Sequence, residues 1–199
     1  MTMGTVTVQD QQALLDATAV HEVGHAVMRW IVGWPATEVF ADYGHGFCKG
    51  TGNRVLASDL LMVTLAGYAA ELPFGTIDWE TSRTDDFELA KQILLEDPYL
   101  RLVPNGRDIV DATIVESLDW HFKYVRELLW PHFDFIDSLS VILATVRRLS
   151  PRQVAAYLRE YSKTNSNGNR LSQTNNAGTA DRCGTLHEGR ATLRSVEGR

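Results

Sequence analysis

The stretch "AVHEVGHAVM" constrains this chain more than any other, because it sets His21, Glu22 and His25 among apolar residues that read as one buried helix. On a helix, residues four apart project from one face about a turn apart, so both imidazoles point the same way. Buried polar groups need partners. The H-E-x-x-H spacing offers one: two ligands for a single metal ion, with Glu22 beside the open coordination position, where it can take a proton from water. Two bland readings compete. The motif can arise by chance, and a buried histidine can simply be hydrogen-bonded. Gly24, in mid-helix, costs about 1 kcal/mol relative to alanine and suggests close approach by another backbone.

A catalytic zinc takes a third protein ligand and leaves a position for water. Glu71, Asp85, Asp86 and His45 are the candidates, and spacing alone does not choose among them.

Around this motif the pattern is mainly α, with a small β segment between the first two helices. A first helix is expected over about Gln11–Ile31, ended by "GWP". "TEVFADYGHGFCKGTGN" mixes strand formers with glycine clusters and reads as one or two short strands. A second helix runs from near Ser58 to Pro73. The third opens at Ser82, Thr84 or Asp85, with Glu88 completing a D-x-x-E pattern and Asp86 in the first turn. Longer helices follow over Asp111–Trp130 and Phe133–Leu149, divided at Pro131. The last begins with Ser150 as N-cap, Pro151 at the first position and Gln153 at the third. The aromatics of "DWHFKYVRELLWPHFDF", with His121 and His132, have the spacing of helix-to-helix packing; any exposed part would be a subunit or partner contact.

From Ser162 the chain turns rich in Ser, Thr, Asn and Gly, a composition that buries too little to offset its ordering entropy. The expected organisation is one domain over 1–161 and a disordered polar tail over 162–199. The body carries 13 Lys+Arg against 22 Asp+Glu, and the tail 6 against 3. A net charge of −6 argues against a nucleic-acid partner. The apolar runs are shorter than a bilayer span, and neither a secretory signal nor membrane insertion is expected, which points to the cytoplasm. Cys48 and Cys183 lack a C-x-x-C arrangement, which leaves no disulfide framework and no cysteine zinc site.

"AVHEVGHAVM", then "LMVTLAGYAAELPFG", then "TSRTDDFELAKQI" resemble the successive signatures of the FtsH-type zinc metalloprotease domain, and "RRLSPRQVAAYL" resembles that family's closing helix. The resemblance covers roughly residues 18–160. It implies a helical zinc-peptidase fold, with His21 and His25 as histidine ligands, Asp86 as aspartate ligand and Glu22 as catalytic glutamate. Asp85 stands where the family usually has Asn. For Glu71, the resemblance implies a supporting role. The departures are as specific. Family members carry transmembrane helices and an ATP-driven unfoldase module, whereas these residues contain no G-x-x-x-x-G-K-[ST] loop, and "GHGFCKGTGN" has the wrong spacing for one. The region from His25 to Asp86 is also condensed.

The expected function is a stand-alone zinc endopeptidase acting on unfolded or flexible protein or peptide substrates. The "TEVFADY" segment, if it is an exposed strand, would take substrate by β-augmentation. A separate AAA+ unfoldase and a homo-oligomer are the partners the family's ring assemblies suggest. Two alternatives remain: a regulatory metallopeptidase of the ImmA/IrrE kind, which shares HExxH but not the LAG-x-AAE and TDD signatures, and a non-catalytic partner-binding domain, against which an intact Glu22 argues.

Overall fold

The computed structural model describes residues 7–51, 56–73, 84–105 and 108–175, the last eleven of these as backbone alone. Among them the chain is mainly helical, with a small antiparallel sheet. Helix α1 spans Val8–Ile31, starting three residues earlier than expected because Thr7 and Asp10 form a capping box. Its inner face buries Leu15, Ala19, Val23, Ala26, Val27 and Met28; at about 1.5–3 kcal/mol for each large aliphatic side chain, this stripe holds the helix in place. Gly33, at φ +80°, turns the chain out of the helix.

Strands β1 (Ala36–Asp42) and β2 (His45–Gly50) form a hairpin through Tyr43–Gly44, where Gly44 takes φ +72°. A short strand β5 (Arg148–Leu149) pairs with the other side of β1, giving the order β2-β1-β5. This corrects the expected substrate edge. "TEVFADY" lies in the central strand, and β2 and the two-residue β5 are the outer strands of this sheet. Arg147, in the left-handed region at φ 64°, ties β5 to the hairpin by donating to Asp42 Oδ1 (2.9 Å) and the Tyr43 hydroxyl (2.8 Å).

Helix α2 (Ala57–Glu71) is the innermost, packed against α1, α3 (Asp85–Glu96) and α4 (Ile114–Leu129). It buries eight residues, from Leu61 to Ala70, and is apolar on nearly every face, as a central helix must be. The crossing with α1 is set at Gly24, where a Cβ would lie 2.6 Å from both the Ala66 carbonyl oxygen and the Ala70 Cβ. The close approach inferred from a mid-helix glycine is therefore there.

Three further elements depart from expectation. A hairpin of β3 (Leu102–Asn105) and β4 (Asp108–Asp111) precedes α4, so that helix begins at Ile114, capped by Thr113 and Glu116, rather than at Asp111. Helix α5 (Phe133–Val146) ends three residues early, where Arg147 turns the chain into β5. Helix α6 (Pro151–Asn175) opens on the expected cap, with Ser150 bonded to Gln153. It continues through the first part of the stretch read as disordered tail. Once such a cap has nucleated a helix, each added residue gains a hydrogen bond. The chain divides into two units, Met1–Ser162 and Lys163–Arg199.

The aromatic stretch is divided. Phe122, Leu129 and Ile136 are buried and Phe133 and Phe135 pack on the core, while Tyr124 and Trp130 are exposed. His121 is buried, its Nε2 donating to the Leu100 carbonyl at 2.8 Å, and His132 meets the Tyr161 hydroxyl.

Candidate metal centre

His21 and His25 emerge from α1 toward the start of α3, and Asp86 meets them there. Helix α3 is capped by Thr84, whose side chain accepts from Phe87 N–H; the D-x-x-E pattern from Asp85 is not the cap, and Ser82 lies outside the described residues. Thr84 as cap puts Asp85 and Asp86 at the first two helical positions, where the macrodipole favours carboxylates. Asp85 turns outward and is exposed. Asp86 turns inward, because the next residue, Phe87, is buried and stacks on Tyr68 of α2 with ring centres 4.2 Å apart. Tyr68 in turn meets the His21 ring edge-on at 4.9 Å. An aromatic chain thus locks the three helices in register at the site.

The donor atoms form a tight triangle. His21 Nε2 and His25 Nε2 are 3.0 Å apart, and Asp86 Oδ2 lies 2.9 Å from the first and 3.2 Å from the second. A tetrahedral zinc with bonds of 2.0–2.1 Å requires ligand atoms about 3.3 Å apart, so a small divalent cation fits this triangle with a few tenths of an ångström of expansion. The far side of each ring is also engaged. His21 Nδ1 contacts Glu71 Oε1, and His25 Nδ1 donates to the Val63 carbonyl at 2.7 Å. Both contacts engage Nδ1 and so point each Nε2 into the triangle, the orientation that ligation needs. Among the described residues, this trio is the cluster of His, Cys, Asp or Glu side chains placed to hold a metal ion. His45 is not part of it and stands exposed at the start of β2.

Without a cation, the trio shares protons. Burial works against a charged His21, but its hydrogen bonds and charge pairing with Asp86 and Glu71 outweigh burial and raise its pKa to about 9. Burial opposes ionisation of Asp86 as well, yet His21 and His25 hold its carboxyl far below the usual carboxylate range.

Glu22 is 6% exposed, and its Oε2 is buried without a hydrogen-bond partner. Burial raises its pKa, with His25 and His21 pulling the other way. Its seat is made by β2: a Cβ on Gly46 would lie 2.5 Å from Glu22 Oε1 and 2.6 Å from Cγ. Gly67 of α2 plays the same part for His21, since a Cβ there would strike the imidazole, with Cε1 at 2.5 Å. Sequence reasoning singled out neither glycine, although Gly67 falls within the "LAGYAAE" signature. His21, Glu22, His25, Gly46, Glu71 and Asp86 line one cleft of about 640 Å³, bordered by α1, α2, the start of α3 and β2. A scan against protein-family models finds none that matches this chain, and a search of curated proteins finds no match.

Proposed function

We propose that this chain is a zinc-dependent peptidase, with His21, His25 and Asp86 as ligands and Glu22 as general base. Within that class, the reading we favour is a trimmed FtsH-type peptidase domain, supported by the order of the three motifs and by Glu71 lying against the far nitrogen of His21. The observation that carries the proposal is the pairing of a three-donor triangle with an unpartnered, buried Glu22 oxygen in one cleft.

Zinc at this site would supply Lewis acidity, lowering the pKa of a coordinated water to about 7 and polarising a peptide carbonyl. Glu22 accepts a proton from the attacking water, whose oxygen joins the carbonyl carbon; as the C–N bond breaks, Glu22 returns that proton to the leaving amine. Substrate would lie extended beside β2, whose outer edge borders the cleft, by main-chain pairing. We place the protein in the cytoplasm, in keeping with the free Cys48 thiol. A homo-oligomer and a separate AAA+ unfoldase are proposed as its assembly partners.

The test combines metal analysis of the purified chain with digestion of casein. We expect one zinc per chain and metal-dependent cleavage. Glu22→Gln should retain zinc and lose at least about 100-fold in rate, the contribution of a positioned base. Near-normal cleavage by that variant would remove Glu22 from the mechanism.

A further inference from the structure

Beyond the triad, the cleft continues along α1. Its lining carries four carboxylates, Glu22, Glu71, Asp85 and Asp86, and one Lys or Arg side chain, Arg29. Arg29 follows His25 by four residues and Glu22 by seven, on the same face of the helix. At 1.5 Å per residue it stands about 6 Å along the axis from His25 and about 10 Å from Glu22.

Residues Gly46, Cys48 and Gly50 alternate with their neighbours on β2 and so share one face of it. Gly46 makes room for Glu22. Gly50 makes room for Arg29, because a Cβ there would lie 2.6 Å from Nη1 and 3.2 Å from Cζ. Between the two, the Arg29 guanidinium donates to the Cys48 sulfur. Arg29 enters no ion pair among the described residues, and its Nε is buried without a hydrogen-bond partner. A neutral thiol is a weak acceptor for a fork of five donors. A partly buried cation with so little compensation is costly unless a ligand supplies the anion, and the planar fork matches a carboxylate bidentately.

We propose that Arg29 is a specificity-determining residue that takes a carboxylate of the substrate peptide, two or three residues from the bond cleaved. The register follows from distance: extended chain advances about 3.3 Å per residue, so 6–10 Å is two to three residues. The carboxylate comes from an Asp or Glu side chain or from the substrate's C-terminus. This inference rests on the cleft being the peptide site.

The test reads binding rather than turnover. The full-length Glu22→Gln protein, loaded with zinc, is titrated by fluorescence anisotropy with neutral ten-residue peptides carrying a single Glu, or Gln, at each position in turn, with free or amidated C-termini. We expect Glu at a favoured position to bind about tenfold more tightly than Gln. Loss of a preference on amidation alone would instead assign the pocket to the terminal carboxylate. Arg29→Met and Arg29→Gln, both checked for folding by thermal melting, should erase the preference, and Arg29→Lys should keep part of it. No difference between acidic and neutral peptides that do bind, or a preference that survives both neutral substitutions, would overturn the role of Arg29 and leave the peptidase reading standing. Failure of every peptide to bind would overturn both.

Discussion

His21 shows how a single side chain takes its role from three directions. Its Nε2 faces His25 and Asp86, its Nδ1 meets Glu71, and its ring fills a space that only a glycine at position 67 leaves open. Each direction gives a distinct prediction. Asp86→Asn removes the anionic ligand and should weaken zinc binding by more than about 100-fold. Glu71→Gln keeps an acceptor but loses the charge that orients the imidazole, so a loss of about 10- to 100-fold is expected. Asp85→Asn should change little, because that exposed carboxylate is not in the triangle. Competition titrations with a zinc chelator separate the three, and a larger effect at Asp85 than at Asp86 would reassign the third ligand. The two histidines and Glu22 were legible in the sequence because helical spacing alone puts them together. Asp86 was not, since α1 and α3 are joined only through tertiary packing and two adjacent aspartates offer equal chemistry. The resemblance to a known signature, not spacing, separated them.

Among the elements, the helix crossing matters more than either helix alone. Gly24 has a poor helical propensity, and alanine there would restore up to about 1 kcal/mol. The added Cβ would meet a main-chain oxygen and the Ala70 side chain at 2.6 Å, and no rotamer change moves a backbone carbonyl. Overpacking of this kind costs about 1–3 kcal/mol. Gly24→Ala should therefore destabilise the protein by about 1–2 kcal/mol, read as a lower midpoint in urea at unchanged slope; a stabilised variant would mean that the two helices separate freely. The same contrast between local and tertiary signal explains which elements the sequence announced. Helices α1 and α5 carry apolar periodicity, α2 is a nearly continuous apolar run, and α6 carries a cap that reads directly from Ser150, Pro151 and Gln153. The β3–β4 hairpin has four-residue strands with Pro104 in one of them, and β5 has two residues, too short for any alternation to show. β5 exists because Arg147 adopts a left-handed turn that delivers Leu149 to β1, and no composition signals that. Its consequence for the sheet is that it pairs with the side of β1 away from β2 and leaves β2 as the outer strand beside the cleft.

At the scale of the whole molecule, the substrate proposed for the cleft is extended backbone, and no described helix is long and apolar enough to cross a membrane. A folded substrate reaches such a cleft only after opening, which costs the about 5–15 kcal/mol of its native stability. Peptide bond hydrolysis does not provide that work, because cleavage follows opening rather than preceding it. The resembled family couples opening to ATP, whereas the 199 residues here contain no phosphate-binding loop sequence. If the proposed peptidase activity holds, the purified chain should digest casein or a flexible peptide and spare a stably folded domain, and added ATP should alter neither rate. Destabilising the folded substrate, by mutation rather than by denaturant, should raise its cleavage in proportion to its open population, about tenfold for each 1.4 kcal/mol, when opening and closing are fast relative to cleavage. Side-by-side digestion of a graded series of such substrates measures this directly. A rate independent of substrate stability would mean that the chain itself opens folded proteins, and ATP-stimulated degradation by the chain alone would point to a nucleotide site that the sequence does not announce.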